Sequence, residues 1–120
     1  MPRDSRAYLK DILDCCLSIT EMLQGVDLEG YRQNRVIRRA VEREFTIIGE
    51  AVLALSHKDP GVFDSISQAR RIVDFRNQLT HEYPSVNDDF VWGIAVRDVP
   101  VLRGECQRLL DEMEEGRGSL

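Results

Sequence analysis

The sequence predicts an all-α protein, an antiparallel up-and-down bundle of four to five helices forming one domain over residues 1–120. Apolar residues recur at three- and four-residue intervals through each long segment, as one buried face of a helix requires. No segment alternates apolar and polar residues as a half-buried strand would. Gly and Pro residues punctuate the stripes. The chain is 42% hydrophobic and 31% charged over 120 residues, an ordinary globular balance that supports one modest core and not two.

Taken in order, Asp4 or Ser5 caps a first helix with Leu9, Ile12, Leu13, Cys16, Ile19 and Leu23 on its apolar side, ending near Gly25. A second, longer helix begins between Asp27 and Gly30 and runs to about Ser56 through Ile37, Ala40, Val41, Ile48, Ala51, Val52 and Leu55. His57-Lys58-Asp59-Pro60-Gly61 reads as a turn. A third helix covers about Ser65 to Leu79 or Thr80, burying Ile66, Ala69, Ile72, Val73 and Leu79, because Pro84 disfavours helical geometry at Tyr83. Asn87 or Asp88 caps a fourth helix through Val99, with Phe90, Val91, Ile94 and Val96. Pro100 then kinks the chain or starts a fifth helix through Leu102, Leu109, Leu110 and Met113.

Several classes of function are excluded early. No apolar run reaches the ~20 residues of a membrane span, and the charged start Met-Pro-Arg-Asp-Ser-Arg does not read as a signal peptide. Cys15, Cys16 and Cys106 are odd in number, and adjacent helical residues point about 100° apart, so neither a disulfide framework nor a metal knuckle fits. They read as small hydrophobes in a reduced core, consistent with a cytoplasmic protein. No phosphate-cradling glycine loop, Glu-x-x-His pair or nucleophile elbow is present, so no cofactor and no metal ligand set is expected. The net charge of −5 disfavours non-specific coating of nucleic acid. Yet Arg32, Arg35, Arg38, Arg39 and Arg43 stand against the single acid Glu42, which suits either a confined anion site or a solvated helix face.

One segment gathers chemistry. Arg76, Asn77, His81 and Tyr83 surround a helix terminus just before Pro84. A five-residue separation places Arg76 and His81 about 140° apart on a continuous helix, but an early exit forced by Pro84 lets His81 swing back toward Arg76. A guanidinium that holds a phosphate beside an imidazole that moves protons is a minimal set for cleaving a phosphodiester. Spacing alone also permits quieter roles: His81 as a C-cap, Tyr83 as a packing residue, and Arg76 as the partner of Asp74 or Glu82.

Arg76-Asn77-x3-His81-Glu82-Tyr83 resembles the Arg-x4-His-x-Tyr signature of the HepT-like toxins, a branch of the HEPN superfamily. The stretch from Ala40 into Ile48-Gly49-Glu50-Ala51 is similar to that family's second-helix pattern. Val86-Asn87-Asp88-Asp89-Phe90-Val91-Trp92 and Val99-Pro100-Val101-Leu102 resemble the segment beyond the motif. Ala69 departs from the pattern, standing where the family often has Trp. The resemblance implies a HEPN-like bundle that forms a homodimer, with two motifs lining a shared cleft. It implies a metal-independent endoribonuclease in which Arg76 and His81 are catalytic, Asn77 supports them, and the arginine-rich helix lines the RNA cleft. It further implies a toxin–antitoxin pair in which an MNT-type nucleotidyltransferase antitoxin silences the toxin by transferring AMP to Tyr83. A non-catalytic helical dimerisation or docking partner of a nucleotidyltransferase is the competing reading, and the intact Arg76, His81 and Tyr83 favour the enzyme, since docking needs no proton-transfer group.

Overall fold

A computed structural model of the chain describes residues 3–81 and 86–118, with side chains through Gly116. Six helices succeed one another among these residues: α1 (Ser5–Met22), α2 (Leu28–Gln33), α3 (Arg35–Lys58), α4 (Pro60–Ser65), α5 (Ala69–His81) and α6 (Asp88–Gly118). No strand occurs among the described residues. The fold is the expected all-α bundle, built on the four longer helices α1, α3, α5 and α6.

Short Asp and Asn side chains begin most of these helices. Asp4 accepts from Ala7 N–H, Asp27 from Gly30, Asn34 from Ile37, Asp59 from Val62 and Asn87 from Phe90. Each such cap satisfies a donor that the first turn leaves open and is worth about 1 kcal/mol. With Asp4 and Asn87 as the caps, their neighbours are free for other work: Ser5 Oγ donates to Asp59 at 2.7 Å and Asp88 accepts from Arg38 at 3.3 Å.

Four element boundaries differ from the sequence reading. The long second helix is two, because Asn34 adopts an extended conformation (φ −112°, ψ 95°) and caps a fresh start. The 57–61 turn is absorbed into helix: His57 and Lys58 close α3, and Asp59 with Pro60 opens the short α4. Ile66 is extended (φ −92°, ψ 112°), which delays α5 to Ala69, and α5 then runs through His81 instead of stopping at Leu79 or Thr80. Finally, Pro100 neither ends nor begins a helix but sits inside α6. Its missing N–H would have bonded the Val96 carbonyl; both residues face solvent, where water can serve that carbonyl.

Contacts at both ends of the helices establish the up-and-down course. Ser5 meets Asp59 and Ser18 meets Glu44, so α1 opposes α3. Arg6 meets Glu114 at one end of the α1–α6 pair, and Cys16 packs near Cys106 and Arg103 further along, so α1 opposes α6. Phe75 meets Phe90 while Ser67 N–H bonds Glu105, so α5 opposes α6, and therefore α3 as well. His81, at the end of α5, thus lies at the same end of the bundle as the first turns of α3 and α6. Tyr31 of α2 stacks against Trp92 of α6 (centroids 5.5 Å) and pins the short helix across that end.

Leu9, Ile12, Ile19, Val41, Ile48, Val52, Leu55 and Val91 are fully enclosed. Each contributes about 1.5–3 kcal/mol through removal from water. Two expected core positions are exposed, Phe90 at 44% and Val96 at 45%, because they lie on opposite flanks of the α6 stripe that carries Val91, Ala95, Val99 and Leu102. Cys15, Cys16 and Cys106 are buried as free thiols. Burial pushes the Cys16 and Cys106 thiols up to about 12 and raises Cys15 as well, with Glu44 adding to the shift at Cys15.

In native protein near pH 8, all three cysteines should therefore resist iodoacetamide, whereas in guanidinium they regain an ordinary pKa of about 8.5 and react. Because the folded state holds these protons more tightly, stability should fall as pH rises above about 8.5. Mass spectrometry that found one thiol alkylated within seconds in the native state would show that the core opens there.

Candidate active site

The site begins where α5 crosses α3. Phe75 fits edge-on against Phe45 of α3 (5.2 Å, 75°) and against Phe90 of α6 (5.8 Å, 72°), which locks the rotation of α5. With Phe75 turned inward, Arg76 lands directly on Gly49. A Cβ added at Gly49 would overlap the Arg76 Cβ and lie 2.5 Å from its Cγ. Gly49 is buried in mid-helix, a place where glycine costs about 1 kcal/mol relative to alanine. Here the cost is offset by the close approach that seats the arginine stem.

The Arg76 side chain is 23% exposed, and its head is held lightly. Nη1 donates to the Asn77 Oδ1 at 3.0 Å, and Nη2 lies 3.7 Å from Glu50 Oε1. Nε is enclosed and meets no acceptor among the described residues. Glu50 is half exposed, so this long ion pair is worth at most about 1 kcal/mol. Stem packing positions the arginine, and the guanidinium can exchange Glu50 for a phosphate at little cost. Asp74, one of the partners considered from sequence, is not the carboxylate it meets; Glu82, the other, lies outside the described residues.

His81 is the last residue of α5 and is exposed. Because the helix continues to it, His81 stands about 140° around the axis from Arg76 and about 7.5 Å further along, and the expected swing back does not occur. The structure unites Arg76 with Asn77 and Glu50, and it leaves His81 on another face of the same helix. Tyr83 lies outside the described residues. Sequence reasoning missed the direct roles of Gly49 and Glu50 as the seat and partner of Arg76. A glycine in the middle of an otherwise strong helix-forming run was the signal that could have found the crossing.

The arginine-rich block divides. Arg32 is gripped by Asp89 through two hydrogen bonds of 2.9 and 2.7 Å and by Glu29 at 3.2 Å. Hydrogen bonding to Arg32 holds Asp89 below the usual carboxylate range. Arg38 pairs with Asp88 and Arg39 with Glu42, whose own carboxyl is raised by burial. Arg35 and Arg43 are exposed and meet no carboxylate among the described residues. Also among the described residues, no three of His, Cys, Asp and Glu gather closely enough to hold a metal ion, and no helix is long and apolar enough to cross a membrane.

A helical bundle that carries an Arg-x4-His motif on one helix is of the HEPN type. Residues 12–109 match the model of the Ribonuclease HepT-like family, and the chain belongs to that family. Similar curated proteins include a provisionally named RNase of Methanocaldococcus jannaschii, 31% identical over 88% of this chain and 95% of the relative. Another provisionally named RNase, from Caldanaerobacter subterraneus, is 30% identical over 89% of this chain and 95% of its own length. A provisionally named ribonuclease HepT of Thermococcus cleftensis is 29% identical over 91% of this chain and 98% of the relative. No solved structure matches the chain.

Gly49→Ala reads the crossing directly. In an unobstructed helix the change would stabilise by about 1 kcal/mol; here overpacking against Arg76 should reverse the sign and cost about 1–3 kcal/mol. Urea unfolding followed by far-UV circular dichroism measures it, and a variant as stable as the parent would mean that α3 and α5 are not in contact at this point.

Proposed function

We propose that this chain is a metal-independent endoribonuclease that cleaves RNA through Arg76 and His81, and that it is the toxin of a toxin–antitoxin pair acting in the cytoplasm. The observation that carries the reading is the state of Arg76: a stem fixed by packing on Gly49, and a guanidinium held by one hydrogen bond to its neighbour Asn77 and by a weak, half-exposed ion pair to Glu50. Such a group is preorganised for a phosphate, which it can grip with two parallel N–H donors. Membership of a family that includes proteins named as ribonucleases points to RNA as the source of that phosphate.

In the proposed step the ribose 2′-oxygen bonds to the adjacent phosphorus while the bond from phosphorus to the 5′-oxygen breaks. One imidazole takes the 2′-hydroxyl proton and a second protonates the leaving 5′-oxygen, leaving a 2′,3′-cyclic phosphate and a 5′-hydroxyl. Arg76 stabilises the charge that develops on the phosphoryl oxygens, and Asn77, bonded to its Nη1, keeps the fork oriented. A single chain offers one motif histidine, and it points away from Arg76. A homodimer supplies two, so a cleft between two copies, in which His81 of each chain works opposite Arg76 of the other, meets both needs. Control follows from the family pattern: an MNT-type nucleotidyltransferase antitoxin transfers AMP to Tyr83, and the added phosphate competes for Arg76.

His81→Ala should lower the cleavage rate by about 10²- to 10⁴-fold with stability nearly unchanged, because the residue is exposed. Arg76→Lys is the sharper arginine variant, since it retains stem and charge but loses the bidentate fork; Arg76→Ala would also strip packing from Gly49. Wild-type cleavage should persist in EDTA and leave cyclic phosphate ends, and a strict requirement for Mg²⁺ would overturn the mechanism.

Tyr83→Phe should stay toxic when the antitoxin is co-expressed, whereas wild-type protein incubated with ATP, Mg²⁺ and the antitoxin should gain the mass of AMP. Neutralised wild-type protein with no such gain would show that the antitoxin works by binding alone.

A further inference from the structure

The exposed arginines of α3 form a line that leads to Arg76. On a helix, residues 35, 39, 43 and 50 fall within about 80° of one another, on the side opposite Val41, Phe45, Ile48 and Val52, which face the core. Steps of four residues advance about 6 Å, and the line from Arg35 to Glu50 covers about 22 Å. Glu50 is the residue that touches the Arg76 guanidinium, so the line ends at the candidate active site. Because α5 opposes α3, the His81 end of α5 lies alongside the arginine-bearing half of α3.

Charge separates this line from an ordinary solvated face. Arg32 and Arg38, from the same block, are neutralised by Asp89 and Asp88 at the start of α6. The acids on the line or beside it are engaged as well, Glu42 with Arg39 and Glu50 with Arg76. Arg35 and Arg43 are left exposed without a carboxylate partner among the described residues. A protein with a net charge of −5 repels a polyanion over most of its surface, so a strand that reaches Arg76 needs a local positive path.

We propose that Arg35 and Arg43, the two arginines of this line without a carboxylate partner among the described residues, form a phosphate-backbone track that holds one flanking single strand of RNA and delivers it to Arg76. The proposal rests on the ribonuclease reading. Arg35 and Arg43 stand eight residues, or about 12 Å, apart along the helix, so one strand can meet both guanidiniums through separate phosphates. Such a track positions the strand without reading its sequence. It distinguishes neither base nor sugar, and selectivity for RNA stays with the 2′-hydroxyl that the chemistry consumes. The two arginines are substrate-positioning residues and take no part in bond breaking.

The test is the double variant Arg35→Gln/Arg43→Gln, with Arg108→Gln on the far part of α6 as control. Binding to an uncleavable 2′-O-methyl RNA of about 12 nucleotides is measured over a range of salt concentrations. Each lost phosphate contact should reduce the slope of log K against log salt by about 0.7, so the double variant should lose about 1.4 and the control nothing. With long RNA, KM should rise several-fold and kcat hold, while cleavage of a dinucleotide, too short to reach the track, should be unchanged. An unaltered salt slope and KM in a variant with wild-type circular dichroism would overturn the track and leave the ribonuclease reading standing. Salt-dependent binding that needs Arg35 and Arg43, in a wild-type protein that cleaves nothing, would sustain the track and overturn the ribonuclease.

Discussion

The site depends on one contact, the close approach of α5 to α3 at Gly49. Without a side chain at that position, the stem of Arg76 lies against the α3 backbone, and the Phe45–Phe75–Phe90 ring chain fixes the rotation that puts it there. Packing is a better anchor for a functional arginine than a strong ion pair. A guanidinium locked between two carboxylates would have to break charge-assisted hydrogen bonds before it met a substrate, whereas one held by its stem keeps its donors available. The contact with Glu50 is long and half exposed, so it holds the guanidinium only weakly.

Electrostatics on this molecule are arranged locally. The first turn of α6 carries Asp88 and Asp89, which favour a helix N-terminus on their own account and also neutralise Arg38 and Arg32 across the bundle end. That pairing does two things. It ties α6 to α2 and α3, and it neutralises two arginines at that end of the bundle. What is left over is the outward line on α3, so the block of arginines that looked uniform has one part holding the fold and another facing solvent.

The divergence of Arg76 and His81 around α5 bears on the whole mechanism. A helix that ended one turn earlier would have allowed both groups to meet within one chain. Continuation through His81 separates them, so within one chain the two groups face different sides of α5.

Much of this protein was legible in its residues. Apolar spacing is a local property, so it determined the all-α class and most buried positions of α1 and α3, though not Phe45 or Gly49. The Asp and Asn caps act on backbone groups within three residues, so Asp4, Asp27 and Asn87 marked helix starts, whereas Asn34 and Asp59 were not legible as caps because the apolar stripe runs past one and Pro60-Gly61 follows the other. The Arg76-x4-His81 pattern, too, was visible before any coordinates. Other features were decided only by the assembled bundle, because each depends on residues far apart in the chain. Whether Pro100 breaks a helix turned on which side of α6 faces water. Which arginines are neutralised turned on where the start of α6 docks. Nothing local to Gly49 reveals that its missing Cβ makes room for Arg76, since that space is created by a helix beginning twenty residues later.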